Sequence, residues 1–312
     1  MNKIFNKIPV VMLVLTVCMS TVNADASIKP GATASPVDRL STAIKHKTIQ
    51  EKTPPIAPEA LEIKTYIEKA IIALNNQTPE NASSILRAVS SKLEAIKTKN
   101  PDLALLPVRV DVKVLDFDGS SAEIKQTINR VENLLKQNRL QDARRFMAVM
   151  ASEIRVDTLS IPLDSFAAEV KQVLPLIESG KIDQAAADLN QALDTLVVST
   201  EVIPLPLLRA EELLTVAAQL EHRDDLTKEM NREQIEQFTD AAKNQLELAQ
   251  LLGYGDKDNY KALYKEIDSI RKVLFSEKSA AAWQTMKDTF ADLKYELKDL
   301  YQTEVHSGLT RK

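Results

Sequence analysis

The stretch Ile154-Arg155-Val156-Asp157-Thr158-Leu159-Ser160-Ile161-Pro162-Leu163 has a counterpart 42 positions later, Leu196-Val197-Val198-Ser199-Thr200-Glu201-Val202-Ile203-Pro204-Leu205. Both are rich in β-branched residues and both close on Ile-Pro-Leu, yet each lies between stretches of helical pattern. The same offset of 42 aligns Val131 with Val173, Leu134 with Leu176, Ala143 with Ala185 and Val156 with Val198. It also places Asn138 and Gly180 at corresponding turns. Each unit therefore reads as helix, tight turn, helix and a short extended segment. The low identity between the units marks a structural repeat.

A third extended segment precedes the repeat. Val108, Val110, Val112 and Val114 alternate with Arg109, Asp111 and Lys113, the period-2 pattern of a half-buried strand. Residues 108–115, 154–161 and 196–203 then form either a small three-stranded β-sheet or extended linkers between helices. Everything else favours helix. Glycine occurs only six times, aromatics make up 4%, and Ala, Leu, Glu, Lys and Gln dominate, the residues that lose least on entering a helix.

The local signals agree. Ser35-Pro36 starts one helix, which stops before Lys52-Thr53-Pro54-Pro55; Pro58 opens another, carrying Leu61, Ile67, Ile71 and Leu74. Thr78-Pro79-Glu80 caps the next, with Ile85, Leu86, Val89, Leu93 and Ile96 inward, and Ser120 with Glu123 forms a capping box. After Pro206 the pattern predicts helix to the end of the chain. Ile235, Phe238, Ala242, Leu246, Ala249 and Leu252 line one helix, which ends at Gly253-Tyr254-Gly255. Tyr260, Leu263, Ile267, Ile270 and Leu274 then follow 3-4 spacing, as do Trp283, Met286, Phe290, Leu293, Leu297 and Leu300. Two such seams joined by a turn predict an antiparallel helical hairpin. The fold class expected is mainly α: helical hairpin repeats, the three segments above, and this C-terminal hairpin.

The N-terminus predicts export. Lys3 and Lys7 precede an apolar run from Ile8 to Met19, and Val22-Asn23-Ala24 or Ala24-Asp25-Ala26 supplies small residues for cleavage. That is the pattern of a signal peptide over residues 1–24, too short for a permanent membrane anchor. Its removal leaves 288 residues with 38 Lys+Arg against 44 Asp+Glu, a mild net −6 that disfavours nucleic acid as a partner. The single cysteine, Cys18, leaves with it, and Val17 is too bulky for a lipoprotein cleavage box. The mature chain then has no disulfide and no cysteine-bound metal. Residues 25–58 read as a flexible, proline-containing leader with one short helix, and 59–305 as the main helical domain.

No catalytic constellation emerges. None of His46, His222 and His306 follows a carboxylate by three residues, so the ligand pairs of helical di-iron sites are missing. His222 sits in the polar run Glu221 to Asp225, which reads as a solvated turn. Asp116-Phe117-Asp118-Gly119 lacks the later ligands of a calcium loop, and Asp256-Lys257-Asp258 has a lysine between its acids; turn and N-cap roles account for both. Phosphate-binding and nucleophile-elbow glycine patterns do not occur. The expectation is a non-enzyme: no catalytic, cofactor-binding or metal residue, and no cofactor.

With the Pro-Leu signatures at 161–163 and 203–205, and Leu251-Leu252-Gly253-Tyr254-Gly255 followed by Tyr260, Leu263 and Tyr264, the chain resembles the YfdX family of exported bacterial proteins over roughly residues 60–300. That resemblance implies a helix-rich periplasmic protein associated with acid, drug or heat stress. It implies chaperone-like binding of other proteins and homo-oligomerisation, with no stable membrane insertion. The alternative is a tetratricopeptide-like scaffold for a dedicated envelope partner, suggested by Leu176 to Gly180 with Ala185, Leu189 and Ala192. Against it, that array needs a period of about 34 residues. The carboxylate excess adds a physical expectation: acid drives the chain from weakly negative to strongly positive, and loosens its ion pairs.

Overall fold

In the computed structural model, residues 35–53, 56, 58–117, 119–223, 226–297 and 302–306 are described, the last five in backbone only. The expected signal peptide at 1–24, the leader up to residue 34 and seam residue Leu300 lie outside them. Among the described residues the chain forms eleven helices and four strands. The helices are α1 (Pro36–Lys52), α2 (Pro58–Asn75), α3 (Pro79–Lys99), α4 (Ser121–Lys136), α5 (Leu140–Met147), α6 (Leu163–Glu178), α7 (Ile182–Asp194), α8 (Leu205–Arg223), α9 (Glu229–Leu251), α10 (Lys257–Val273) and α11 (Ser279–Leu297). The strands are β1 (Leu105–Leu115), β2 (Glu153–Pro162), β3 (Val197–Pro204) and β4 (Gln302–His306). The expected mainly α class, its helical hairpins and the strand character of the three extended segments are all present.

The repeat extends further than its sequence signature. Helix, turn, helix and strand recur as α2-α3-β1, α4-α5-β2, α6-α7-β3 and α10-α11-β4, with α8 and α9 inserted before the last unit. The strands follow one another across an antiparallel sheet in the order β1-β2-β3-β4. The first three turns close in the same way. Gln77, Asn138 and Gly180 take φ of 56°, 56° and 74°. The next N–H then donates back five residues, Thr78 to Ala73, Arg139 to Leu134 and Lys181 to Leu176, each at 2.9 Å. This is the C-terminal cap that a left-handed residue permits. Gly253 (φ 84°) ends α9 likewise, with Tyr254 N–H donating to Ala249.

The Ile-Pro-Leu repeat has a shared structural role. Proline ends the strand where its missing N–H costs nothing, and the next leucine starts a helix. Leu163 N–H donates to the Ala104 carbonyl (3.0 Å) and Leu205 N–H to the Ser152 carbonyl (2.9 Å), each acceptor lying just before the neighbouring strand. Both leucines are buried.

Helices of alternate units pack together. Hairpins α2-α3 and α6-α7 share a core of Ile63, Ile67, Leu74, Leu86, Leu93, Phe166, Val170 and Leu189, which reaches Leu106 and Ile161 at one end of the sheet. Helices α8 to α11 share a second core around Phe238, Leu246, Tyr260, Ile267, Trp283, Phe290 and Leu293. The two C-terminal seams are thus core up to Leu297. Ile49 of α1 and Leu205 and Leu208 of α8 cover Val110, Val112, Ile154, Val156 and Ile203 of the sheet.

Several expectations are corrected. The C-terminal residues add a fourth strand, β4, beside β3, so helix does not run to the end and His306 lies opposite Val197. The compact unit begins at Pro36, not near residue 59. Helix α1 belongs to it, because it buries Ile44 and Thr48 and pairs Lys52 with Glu201 (2.6 Å). Of the apolar residues of α2, Leu61 is 51% exposed, while Ile63, Ile67 and Leu74 are buried. Thr78 does not cap α3 with its side chain; its hydroxyl donates to the Ala73 carbonyl at 2.9 Å. No helix among the described residues is long and apolar enough to cross a membrane.

Candidate functional site

A polar contact between layers gathers on Asp116, the first residue after β1. Its Oδ2 accepts from Arg209 of α8 at 2.8 Å and from Lys45 of α1 at 3.3 Å. Arg209 is only 12% exposed and its Nε is buried without a partner, so the guanidinium depends on this carboxylate. Burial would raise the Asp116 pKa, but the Arg209 hydrogen bond and charge, with Lys45 behind them, hold it below the ordinary aspartate value. The clamp joins β1 to the two helices that cover the apolar patch of Val110, Val112, Ile154 and Val156. From sequence this aspartate read as a turn residue. Lys45 and Arg209 lie 71 and 93 positions from it, and no local signal announces such a meeting.

The opposite face of the sheet is polar. Asp157 of β2 accepts from Thr200 (2.7 Å) and Arg155 (3.1 Å) and lies 3.7 Å from Lys113 of β1, while Arg109 pairs with Asp111. Burial again works against ionisation of Asp157, and these partners outweigh it, so its pKa is lowered. Between α3 and α6, Glu94 is likewise held below its usual range, chiefly by the Lys171 hydrogen bond at 2.6 Å. Glu169 goes the other way, raised by burial, with Oε2 lacking a partner. These clamps therefore keep their charge until the pH falls below the usual carboxylate range.

Two further contacts fix the C-terminal layer. Tyr254, between its two glycines, receives the Ser152 N–H at 2.9 Å and donates its hydroxyl to Glu153 at 2.8 Å, which ties the end of α9 to the start of β2. Tyr260 donates to the Tyr254 carbonyl. Glu221 corrects another expectation: it is buried, not part of a solvated turn. Its carboxylate accepts from the Trp283 indole and, at 2.6 Å, from the N–H of Phe275, which sits at φ 66°. Sequence alone concealed this because the run Glu221 to Asp225 is polar throughout.

The histidines stay apart. His46 is exposed on α1, His222 is exposed at the end of α8 with Nδ1 2.6 Å from the Ala218 carbonyl, and His306 ends β4. No group of three His, Cys, Asp or Glu placed to hold a metal occurs among the described residues. Asp256 caps α10 through Asp258 N–H and Asn259 N–H. A groove of about 270 Å³ lies between α8 and α11, lined by Glu211, Thr215, His222, Trp283 and Lys287 among others.

Comparison with known proteins adds the family. The YfdX protein family model matches residues 63–202, a shorter span than the 60–300 of the sequence resemblance, and it leaves out the Gly253-Tyr254-Gly255 motif. A solved structure of Salmonella Typhi YfdX is similar at 18% identity, covering 48% of this chain and 93% of that one, with a TM-score of 0.34. No curated protein matches the chain. Residues 63–202, from within α2 into β3, thus match the YfdX family.

Proposed function

We propose that this is a periplasmic, non-enzymatic stress-response protein that holds unfolding proteins when acid loosens its layers. The observation that carries the reading is the Asp116 clamp: one carboxylate ties α1 and α8 over an apolar sheet face. Protonating it leaves Lys45 and Arg209 as uncompensated, mutually repelling cations. Beyond that clamp and the Lys52–Glu201 pair, α1 is held by a few side chains: the buried Ile44 and Thr48, Ile49 against the sheet, and Val37 and Leu40 against the second core. With so few anchors, loss of the clamp favours its release. Its departure would uncover Val110, Val112 and Val156, a surface of the kind that unfolded segments bind. The YfdX match over residues 63–202 and the export pattern at residues 1–24 support the same reading.

The sign of the pH dependence follows from the lowered pKa. Asp116 stabilises the closed form above the unfolded aspartate value of about 3.9. That contribution is lost as pH falls through the lower folded value. The response thus belongs below about pH 4 for this clamp. The test follows light scattering of an aggregation-prone client, beside native mass, from pH 7.5 to 2.5. Suppressed client aggregation on the acid side supports the proposal. Aggregation equal to that of the client alone at every pH rejects it. A dedicated scaffold would also leave unrelated clients unprotected.

A further inference from the structure

The sheet has two edge strands, β1 and β4, and β1 is the longer of them. Among the described residues β1 pairs with β2 alone, so its other edge presents unpaired N–H and C=O groups. Val114 and Leu115 at its end are 39% and 42% exposed. The ladder is regular from Arg109 to Leu115 and irregular between Pro107 and Arg109. The midpoint of the regular part is Val112.

We propose that this edge pairs with the same edge of a second copy, antiparallel about Val112. In that register Asp111 of each copy faces Lys113 of the other, Val110 faces Val114, and Val112 faces itself. Arg109 lies opposite Leu115. Both charged pairs are complementary, and residues on one face stay on that face, as antiparallel pairing requires. The neighbouring registers fail. Centring on Asp111 sets Asp111 against itself and Arg109 against Lys113. Centring on Lys113 sets lysine against lysine. Centring on Val110 draws in the irregular step and Pro107, which has no N–H to donate. Centring on Val114 faces Asp111 with Phe117 and Lys113 with Leu115, which leaves both charges without a partner. Alternating charges on an edge strand ordinarily discourage pairing. Here their order makes one self-pairing register favourable, and that selects a second copy as the occupant.

Charge reversal tests this without relying on loss of fold, since Asp111 and Lys113 have side-chain exposures of 49% and 66%. Native mass is measured for the full chain, for Asp111→Lys and for Lys113→Asp, each checked by circular dichroism. The wild type is expected at an even number of chains, and each variant at half that number, because each places like charges opposite one another twice. An equimolar mixture of the two variants should recover the wild-type mass, since the lysine pair of one then faces the aspartate pair of the other. A single-chain or odd-numbered wild type, variants of unchanged mass, or a mixture that stays at the halved mass would each overturn the proposal.

Discussion

Replacing Asp116 with Asn removes one negative charge from between two cations while leaving shape and an acceptor oxygen in place. Two interactions weaken. The bond to Arg209, made at 2.8 Å with a guanidinium 12% exposed, belongs to the charged hydrogen bonds worth about 1.5–3 kcal/mol. The Lys45 contact, at 3.3 Å with both side chains about a quarter to a third exposed, is a surface-type pair worth about 0.5 kcal/mol. Because the asparagine oxygen still accepts, the expected net loss at pH 7.5 is about 2 kcal/mol. For a domain of this size that lowers Tm by about 4–8 °C. Melting is followed by circular dichroism at 222 nm for both proteins from pH 7.5 downward. The pH series is the decisive part. Wild-type Asp116 becomes neutral like asparagine as pH falls through its lowered pKa, so the gap should narrow below about pH 4. No gap at pH 7.5, or a gap that persists undiminished into acid, would refute the clamp.

Other consequences are open to the same kind of measurement. Leu293→Asp places a charge at a position 3% exposed in the C-terminal core and should cost about 4 kcal/mol or prevent folding, read as a lowered urea midpoint. Tyr254→Phe leaves the Ser152 N–H without its buried acceptor and should cost about 1–3 kcal/mol, with faster hydrogen exchange at the start of β2. Glu221→Gln should shift the emission of Trp283, the single tryptophan, because its indole donates to that carboxylate; an unchanged spectrum would contradict the contact. Gly180→Ala meets no atom within 4 Å but sits at φ 74°, so it should destabilise by about 1 kcal/mol through backbone strain alone.

What could be read from the sequence was what is encoded locally. The capping box at Ser120 and Glu123, the turn residues Asn138 and Gly180, the glycine cap after α9 and the 3-4 seams each lie within a few residues of the partners that define them. The repeat was legible where its units are equally long, 42 residues from Asn138 to Gly180. It was hidden where they are not, since Gln77 lies 61 residues before Asn138 and α8 and α9 separate the last unit from the third. Strand β4 escaped because it is five residues long and follows a strong helical seam. The clamp at Asp116 and the buried Glu221 were illegible for a different reason. Each is an acidic residue in a polar stretch whose partners come from distant elements, and nothing in the local pattern distinguishes it from a solvated one.

The central claim, that the Asp116 carboxylate keeps α1 and α8 closed over a protein-binding face, is tested most directly at pH 5.5. There the wild-type carboxylate is ionised and the Asp116→Asn variant has no charge at that position. Light scattering of an aggregation-prone client is recorded with each protein in turn. The account predicts that the variant suppresses aggregation at this pH while the wild type does so only in stronger acid. Identical curves for the two proteins from pH 5.5 down to 2.5 would contradict it.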